Sequence, residues 1–297
     1  MIEVRELTKS FGKQRVLSRV SFQAAPGQVF GLIGYNGVGK TTLLKTVCGI
    51  YRPDSGSVRI GGEPVYENPA VKQQCFFMTE ESPFFAQSTM NQMRRFYRGY
   101  CPGWRDRTFL GLADWFGVDP DRRIGSFSKG MQRQAGLTLA LATHARCLFL
   151  DEAFDGLDFT MRRQVSRMLL YYAREKEAAV IVSSHNLREL EGLANRIGML
   201  SDGELVFNDT TKQMQENYQT CRFRFDGPPA ALDALGAELL EWEEDGYLCI
   251  LRAAPDRARE ALAALGARDV SVRPVRLEEF FRKERKEKDV DFQEIFG

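Results

Sequence analysis

The chain has 297 residues, room for roughly two domains at the usual ~150 residues each. Its 43% hydrophobic, 11% aromatic and 27% charged residues describe a folded globular protein and exclude a mainly disordered one. With 41 Lys and Arg against 40 Asp and Glu, no global field draws it to nucleic acid or an anionic membrane, and no nucleic-acid partner is expected.

The strongly apolar runs, such as 135–142, fall far short of the ~20 residues that cross a bilayer. The start, Met1-Ile2-Glu3-Val4-Arg5, lacks the basic and apolar regions of a secretory signal, so the chain is expected to stay in the cytosol. The six cysteines are scattered with no Cys-x-x-Cys pair, and in a reducing compartment they read as small buried apolar residues.

In chain order, 2–7 and 15–22 alternate as two strands around a Gly12 turn. The short apolar run 29–33 then leads through a glycine-rich turn into a helical stretch at 41–48. Further buried strands are expected at 74–78, 147–150, 180–183 and 196–200, separated by helical patterns. That alternation predicts a mainly parallel sheet covered on both faces. The aromatic-rich stretch 82–125 reads as a helical insertion.

From about residue 213 the texture changes. Strands are expected at 220–225, 238–243, 247–252 and 270–275, with helices at 229–235 and 256–265 and a hairpin turn at Asp245-Gly246. That order fits a small ferredoxin-like α+β domain over 213–297, ending in the mixed-charge run 282–288.

The chemistry concentrates in three places. Gly34-Tyr35-Asn36-Gly37-Val38-Gly39-Lys40-Thr41 fits a phosphate loop, placed between a strand and a helix as the motif requires. Its glycines let backbone amides and the helix N-terminus face phosphates, Lys40 adds a point charge, and Thr41 offers a hydroxyl to Mg²⁺. The strand 147–150 runs into Asp151, a Mg²⁺ ligand through water, and Glu152, positioned to orient or deprotonate a water. Ser128-Lys129-Gly130 opens a helix through 142, with Ser128 as N-cap and Gly130 leaving room for phosphate.

Together these features resemble the ATP-binding-cassette (ABC) ATPases over roughly residues 1–212. Gly34 to Thr42 looks like Walker A, 127–131 like the family signature, 148–152 like Walker B with its catalytic glutamate, and 156–158 like the end of the D-loop, with Asp158. His185 matches the switch histidine that contacts the γ-phosphate, and Phe11 the aromatic that stacks on adenine, a strand-end core role being the alternative. His144 matches no motif and reads as a helix-surface or packed histidine.

The resemblance implies a P-loop NTPase fold of α/β class: a mainly parallel core, an antiparallel β subdomain and a helical insertion, with the small domain appended. It also implies ATP and Mg²⁺ as cofactors, ATP hydrolysis, a second cassette (a copy or a paralogue) whose ATP would meet Ser128, Lys129 and Gly130, and a separate integral-membrane permease. The chain would then sit at the cytoplasmic face of the membrane. The Lys-Gly-Met form of the signature resembles exporters of the ABC-2 type, and the insertion around 94–100 is the expected docking face, unless its aromatics are the insertion's own core. Regulation or dimer stabilisation is the family expectation for 213–297.

Three motifs depart from the family pattern. The signature has Phe127, Lys129 and Met131; Asp155 replaces the usual D-loop serine; and the Q-loop candidate is Glu80, a further possible Mg²⁺ ligand that adds negative charge beside the γ-phosphate. Two rival readings remain on the residues alone. A soluble ABC protein acting on ribosomes or nucleic acid is opposed by the single cassette and near-zero net charge. A non-hydrolysing ATP switch is opposed by intact Lys40, Asp151, Glu152 and His185.

Overall fold

A computed structural model describes residues 1–79, 87–227, 230–243 and 246–281. They fall into two compact units, Met1–Thr210 and one beginning at Thr211.

The first unit begins with a hairpin of β1 (Ile2–Phe11) and β2 (Gln14–Ala24). Alternate residues such as Ile2, Val4, Val20 and Phe22 are buried, as a half-covered sheet requires. Then come β3 (Val29–Ile33), α1 (Lys40–Val47), β4 (Ser55–Ile60), β5 (Glu63–Pro64), α2 (Pro69–Lys72) and β6 (Cys75–Met78). β4 and β5 go beyond what periodicity predicts, because within β4 only Val58 and Ile60 point inward. They complete an antiparallel sheet in the order β2-β1-β4-β5.

Two helices follow, α3 (Met90–Tyr100) and α4 (Asp106–Phe116). Thr89 starts α3 with a reciprocal capping box to Gln92, and Gly117, in the left-handed region, ends α4. This agrees with the expected helical insertion, whose first residues, 82–86, lie outside the described ones. Next are α5 (Lys129–Ala142), β7 (Cys147–Asp151), α6 (Phe159–Glu175), β8 (Ala179–Ser184), α7 (Leu187–Leu190), β9 (Arg196–Ser201) and β10 (Glu204–Thr210).

The second sheet runs β10-β9-β3-β8-β7-β6. It is parallel except for β10, an antiparallel edge strand beyond those expected from the sequence, whose apolar run Leu205-Val206-Phe207 does not alternate. Every residue of β3, β7 and β8 is buried, which explains their unbroken apolar runs. Phe30, Leu32, Phe149 and Ile181 face a core shared with the antiparallel sheet and α1, where Phe22 stacks on Phe30 at 4.7 Å. Gly31 faces the other way, its α-carbon packed beneath Leu190 and Ala194. Register puts Ile33 beside Ser184 and Asp151 beside Ser183, so the carboxyl ends of β3, β8 and β7 lie side by side. Ligands of open α/β sheets bind at that end.

The second unit holds α8 (Thr211–Asn217), β11 (Gln219–Arg224), α9 (Ala230–Asp233), β12 (Glu238–Glu243), β13 (Gly246–Leu251), α10 (Pro255–Ala264), β14 (Arg268–Pro274) and α11 (Leu277–Phe280). Its antiparallel sheet runs β12-β13-β11-β14, the ferredoxin-like arrangement expected of this element order. A separate core of Cys221, Phe223, Cys249, Leu251 and Leu262 holds it together. The charged run 282–288 lies outside the described residues.

Candidate functional site

The phosphate loop leaves β3 and enters α1. Gly37 and Gly39 have φ of 81° and 110°, conformations that side chains disfavour, and a Cβ on Gly34 would lie 2.8 Å from the Leu200 carbonyl. Gly39 caps α1 with no side chain, so the first-turn amides have no intrahelical acceptor and the positive end of the helix stays open. Lys40 folds back over the loop, its Nζ donating to Gly34 O at 2.7 Å and Tyr35 O at 3.2 Å. Tyr35, Asn36, Gly37, Gly39, Thr41 and Thr42 line a cleft of about 450 Å³ together with Lys40, Phe11 and Glu152. Val38 sits within this loop, its amide bonded to Tyr35 O at 3.3 Å.

Phe11 ends β1 with 45% of its surface exposed, which sets aside a buried core role. Its ring meets Tyr51 edge-on at 5.3 Å and carries the Lys9 ammonium 5.3 Å from its centroid.

The paired acids stand at the end of β7. Asp151 is buried and spans two hydroxyls, accepting from Thr41 Oγ1 and Ser183 Oγ at 2.5 Å each. Glu152 takes a positive φ of 48° and donates its amide to Ser183 Oγ at 3.2 Å. That turn aims its carboxylate across the cleft: Oε1 is 3.1 Å from Lys40 Nζ and Oε2 is 3.0 Å from His185 Nδ1. Lys40, Thr41, Asp151, Glu152 and His185 are thus one connected group. The hard oxygens of Thr41 and Asp151 that meet here are a donor set of the type Mg²⁺ takes. Glu80 lies outside the described residues.

Ser128, Lys129, Gly130 and Asp158 do not line this cleft. Ser128 caps α5 by accepting from Met131 N at 3.3 Å, and Asp158 caps α6 by accepting from Met161 N at 2.8 Å. The two segments touch: a Cβ on Gly130 would lie 2.6 Å from Gly156 O.

Sequence patterns alone pass over Ser183, Ser184 and Glu189. Ser183 orients Asp151, and Ser184 Oγ donates to the buried Glu189 Oε2 at 2.6 Å. Two hydroxyls closing an apolar strand just before His185 were the available signal.

The remaining expectations resolve as packing. His144 sits past the end of α5 in a left-handed conformation, 2.9 Å from Thr108 Oγ1 and edge-on to Tyr172. Burial lowers its pKa, helped by Lys176 and Arg105. Cys48, Cys147, Cys221 and Cys249 are buried, while Cys75 and Cys101 are only partly so. In the insertion, Trp104, Phe109 and Phe116 are buried, and Asp106 holds Arg94 and the Trp104 indole N–H at 2.8 Å each. Phe96 and Tyr100, their rings tilted at 41° with centroids 4.8 Å apart, stay exposed.

The family model described as "ABC transporter" matches residues 17–155. The chain is similar to the ABC transporter ATP-binding protein YtrB of Bacillus subtilis (strain 168), 29% identical over 95% of this chain and 97% of that one. It is also similar to the bacitracin transport ATP-binding protein BcrA of Bacillus licheniformis, 27% identical over 69% of this chain and 68% of that one. Its fold matches the dimeric structure of MJ0796, a bacterial ABC transporter cassette, with a TM-score of 0.64 at 18% identity, covering 71% of this chain and 98% of that one. On sequence and fold together, the ABC transporter domain at residues 17–155 and the curated relatives support an ABC transporter ATP-binding subunit, and a solved cassette bound to ADP and Pi after hydrolysis has the same fold.

Proposed function

We propose that this chain is the ATP-hydrolysing subunit of an exporter-type ABC transporter, working as a pair of cassettes beneath an integral-membrane permease at the cytoplasmic face. The observation that carries it is the group of Lys40, Thr41, Asp151, Glu152 and His185, linked through Ser183, of which Lys40, Thr41 and Glu152 line the cleft. The signature variant at Phe127-Ser128-Lys129-Gly130-Met131 and the similarity to a bacitracin transport protein support export. No helix among the described residues is long and apolar enough to cross a membrane, so the pathway requires another subunit.

The loop amides and Lys40 bind the phosphates, and Phe11 stacks on the base. Thr41 and Asp151 would hold Mg²⁺, which when bound offsets phosphate charge. Lys40 then exchanges the Glu152 carboxylate for phosphate, freeing Glu152 to take a proton from water as its oxygen attacks the γ-phosphorus and the bond to ADP breaks. His185 orients Glu152 and the γ-phosphate. Ser128, Lys129, Gly130 and Asp158, set apart from this cleft, serve the ATP of the second cassette, a copy or a paralogue. The dimeric MJ0796 cassette supports that pairing. The unit from Thr211 acts as an accessory, and Phe96 and Tyr100 offer the permease an exposed aromatic pair.

Glu152→Gln is the test: with ATP it should bind nucleotide, accumulate as a dimer and lose about 10²–10⁴ in turnover. Turnover equal to the wild type removes Glu152 from the role. Purification from native membranes should recover an integral permease; ribosomes or DNA in its place would overturn the transporter reading.

A further inference from the structure

Two side chains outside the cleft connect elements that it depends on. Arg162, in the first turn of α6, donates from Nε to the Leu157 carbonyl at 2.8 Å and places Nη1 3.4 Å from Glu189 Oε1. Glu189, on α7, uses its other oxygen to accept from Ser184 Oγ. Ser184 Oγ in turn accepts from Asn186 N at 2.9 Å, bridging the two residues that flank His185. At the other end, Gly156, next to Leu157, lies against the backbone of Lys129 and Gly130. An unbroken line of contacts therefore runs from Gly130 through the D-loop to His185 and Glu152.

The charge chemistry does not explain this arrangement as a stability device. Arg162 is 39% exposed, and ion pairs with one solvated partner contribute little. Its planar fork instead does what a lysine cannot, holding a backbone carbonyl and a carboxylate at a fixed angle. Glu189 is buried, so its partners decide where it points.

We propose that Arg162 and Glu189 are positioning residues for hydrolysis: they clamp the D-loop at Leu157 to the Ser184–Asn186 turn, so that a shift of the D-loop against Gly130 is passed to His185 and Glu152. This rests on the ATP-hydrolysing reading of the same site. It gives each cassette a route by which occupancy at its signature face sets the readiness of its own cleft.

The test uses the full chain. Arg162→Met should lower kcat about tenfold or more, because displaced catalytic groups lose rate steeply. ATP affinity should stay within about twofold, since the phosphate loop is untouched. The chain has only two histidines, so a spectrum of ¹⁵N-histidine-labelled protein reads His185 directly. The His185 ring signals should move in Arg162→Met while those of His144 stay put. Arg162→Lys, which keeps the charge without the fork, should lose less; Ser184→Ala should reproduce the Met effect with Arg162 intact, and these two carry the test if Arg162→Met does not fold.

Unchanged kcat in folded variants, or loss of kcat matched by loss of ATP affinity with His185 unmoved, overturns the clamp. Absence of hydrolysis in the wild type would instead sink the enzymatic reading, and the histidine spectrum would still decide the clamp.

Discussion

Lys40 and Glu152 form an ion pair with both side chains more than nine-tenths buried. Such a pair is held in place less by its own attraction than by what loss of one partner leaves behind, an uncompensated charge in a poorly solvated site. Here each member has a second anchor, Lys40 on two loop carbonyls and Glu152 on His185. The lysine is therefore poised to change partners when phosphate enters.

Glu189 makes a different use of burial. Desolvation raises its carboxyl pKa, with Ser184 and Arg162 pulling part of the way back. The fold thus favours its protonated form. That contribution is complete below the unfolded value of about 4.3 and is lost as pH rises through the raised folded value. Glu189→Gln should remove this dependence, so the stability of the variant relative to wild type should climb as pH increases across that window. Urea unfolding at a series of pH values reads it; a difference independent of pH would assign the effect to another group.

At the scale of elements, β3 organises the site: its carboxyl end launches the phosphate loop, its neighbour β8 leads into His185, and β7, on the far side of β8, ends in the acids. Gly31 is the tight point of that strand. A Cβ there would come within 2.9 Å of Ile197 Cδ1 and 3.0 Å of Ala194 and Leu190. Gly31→Ala should therefore cost about 1–3 kcal/mol by overpacking, seen as a lower urea midpoint at unchanged slope. An alanine variant of wild-type stability would mean the β3–α7 contact yields freely. α5 shows the reverse pattern: its C-terminal half, Ala135 to Ala142, is buried on every side, whereas its first turn is set by the Ser128 cap. That contrast leaves the signature end at the surface and anchors the rest.

At the scale of the molecule, each unit has its own apolar core, and every residue lining the nucleotide cleft belongs to the first. Leu262, fully buried in the second core, tests the separation. Leu262→Ala should destabilise that unit by about 2–5 kcal/mol. Calorimetry should show it as a lowered transition while ATP affinity stays at the wild-type value; a parallel loss of ATP affinity would make the second unit part of the site.

The sequence by itself picked out the glycine-rich loop at 34–41, Asp151, Glu152, His185 and the runs β3, β7 and β8, because fully buried strands and glycine-dependent turns leave local marks and the acids and histidine directly follow such strands. It was silent on β4, β5 and β10, whose few inward residues make no period, and on Ser183, Ser184, Arg162 and Glu189. Only the tertiary structure decided those, since a serine at a strand end or an arginine on a helix acquires its role from what the sheet register and helix packing bring within hydrogen-bond reach.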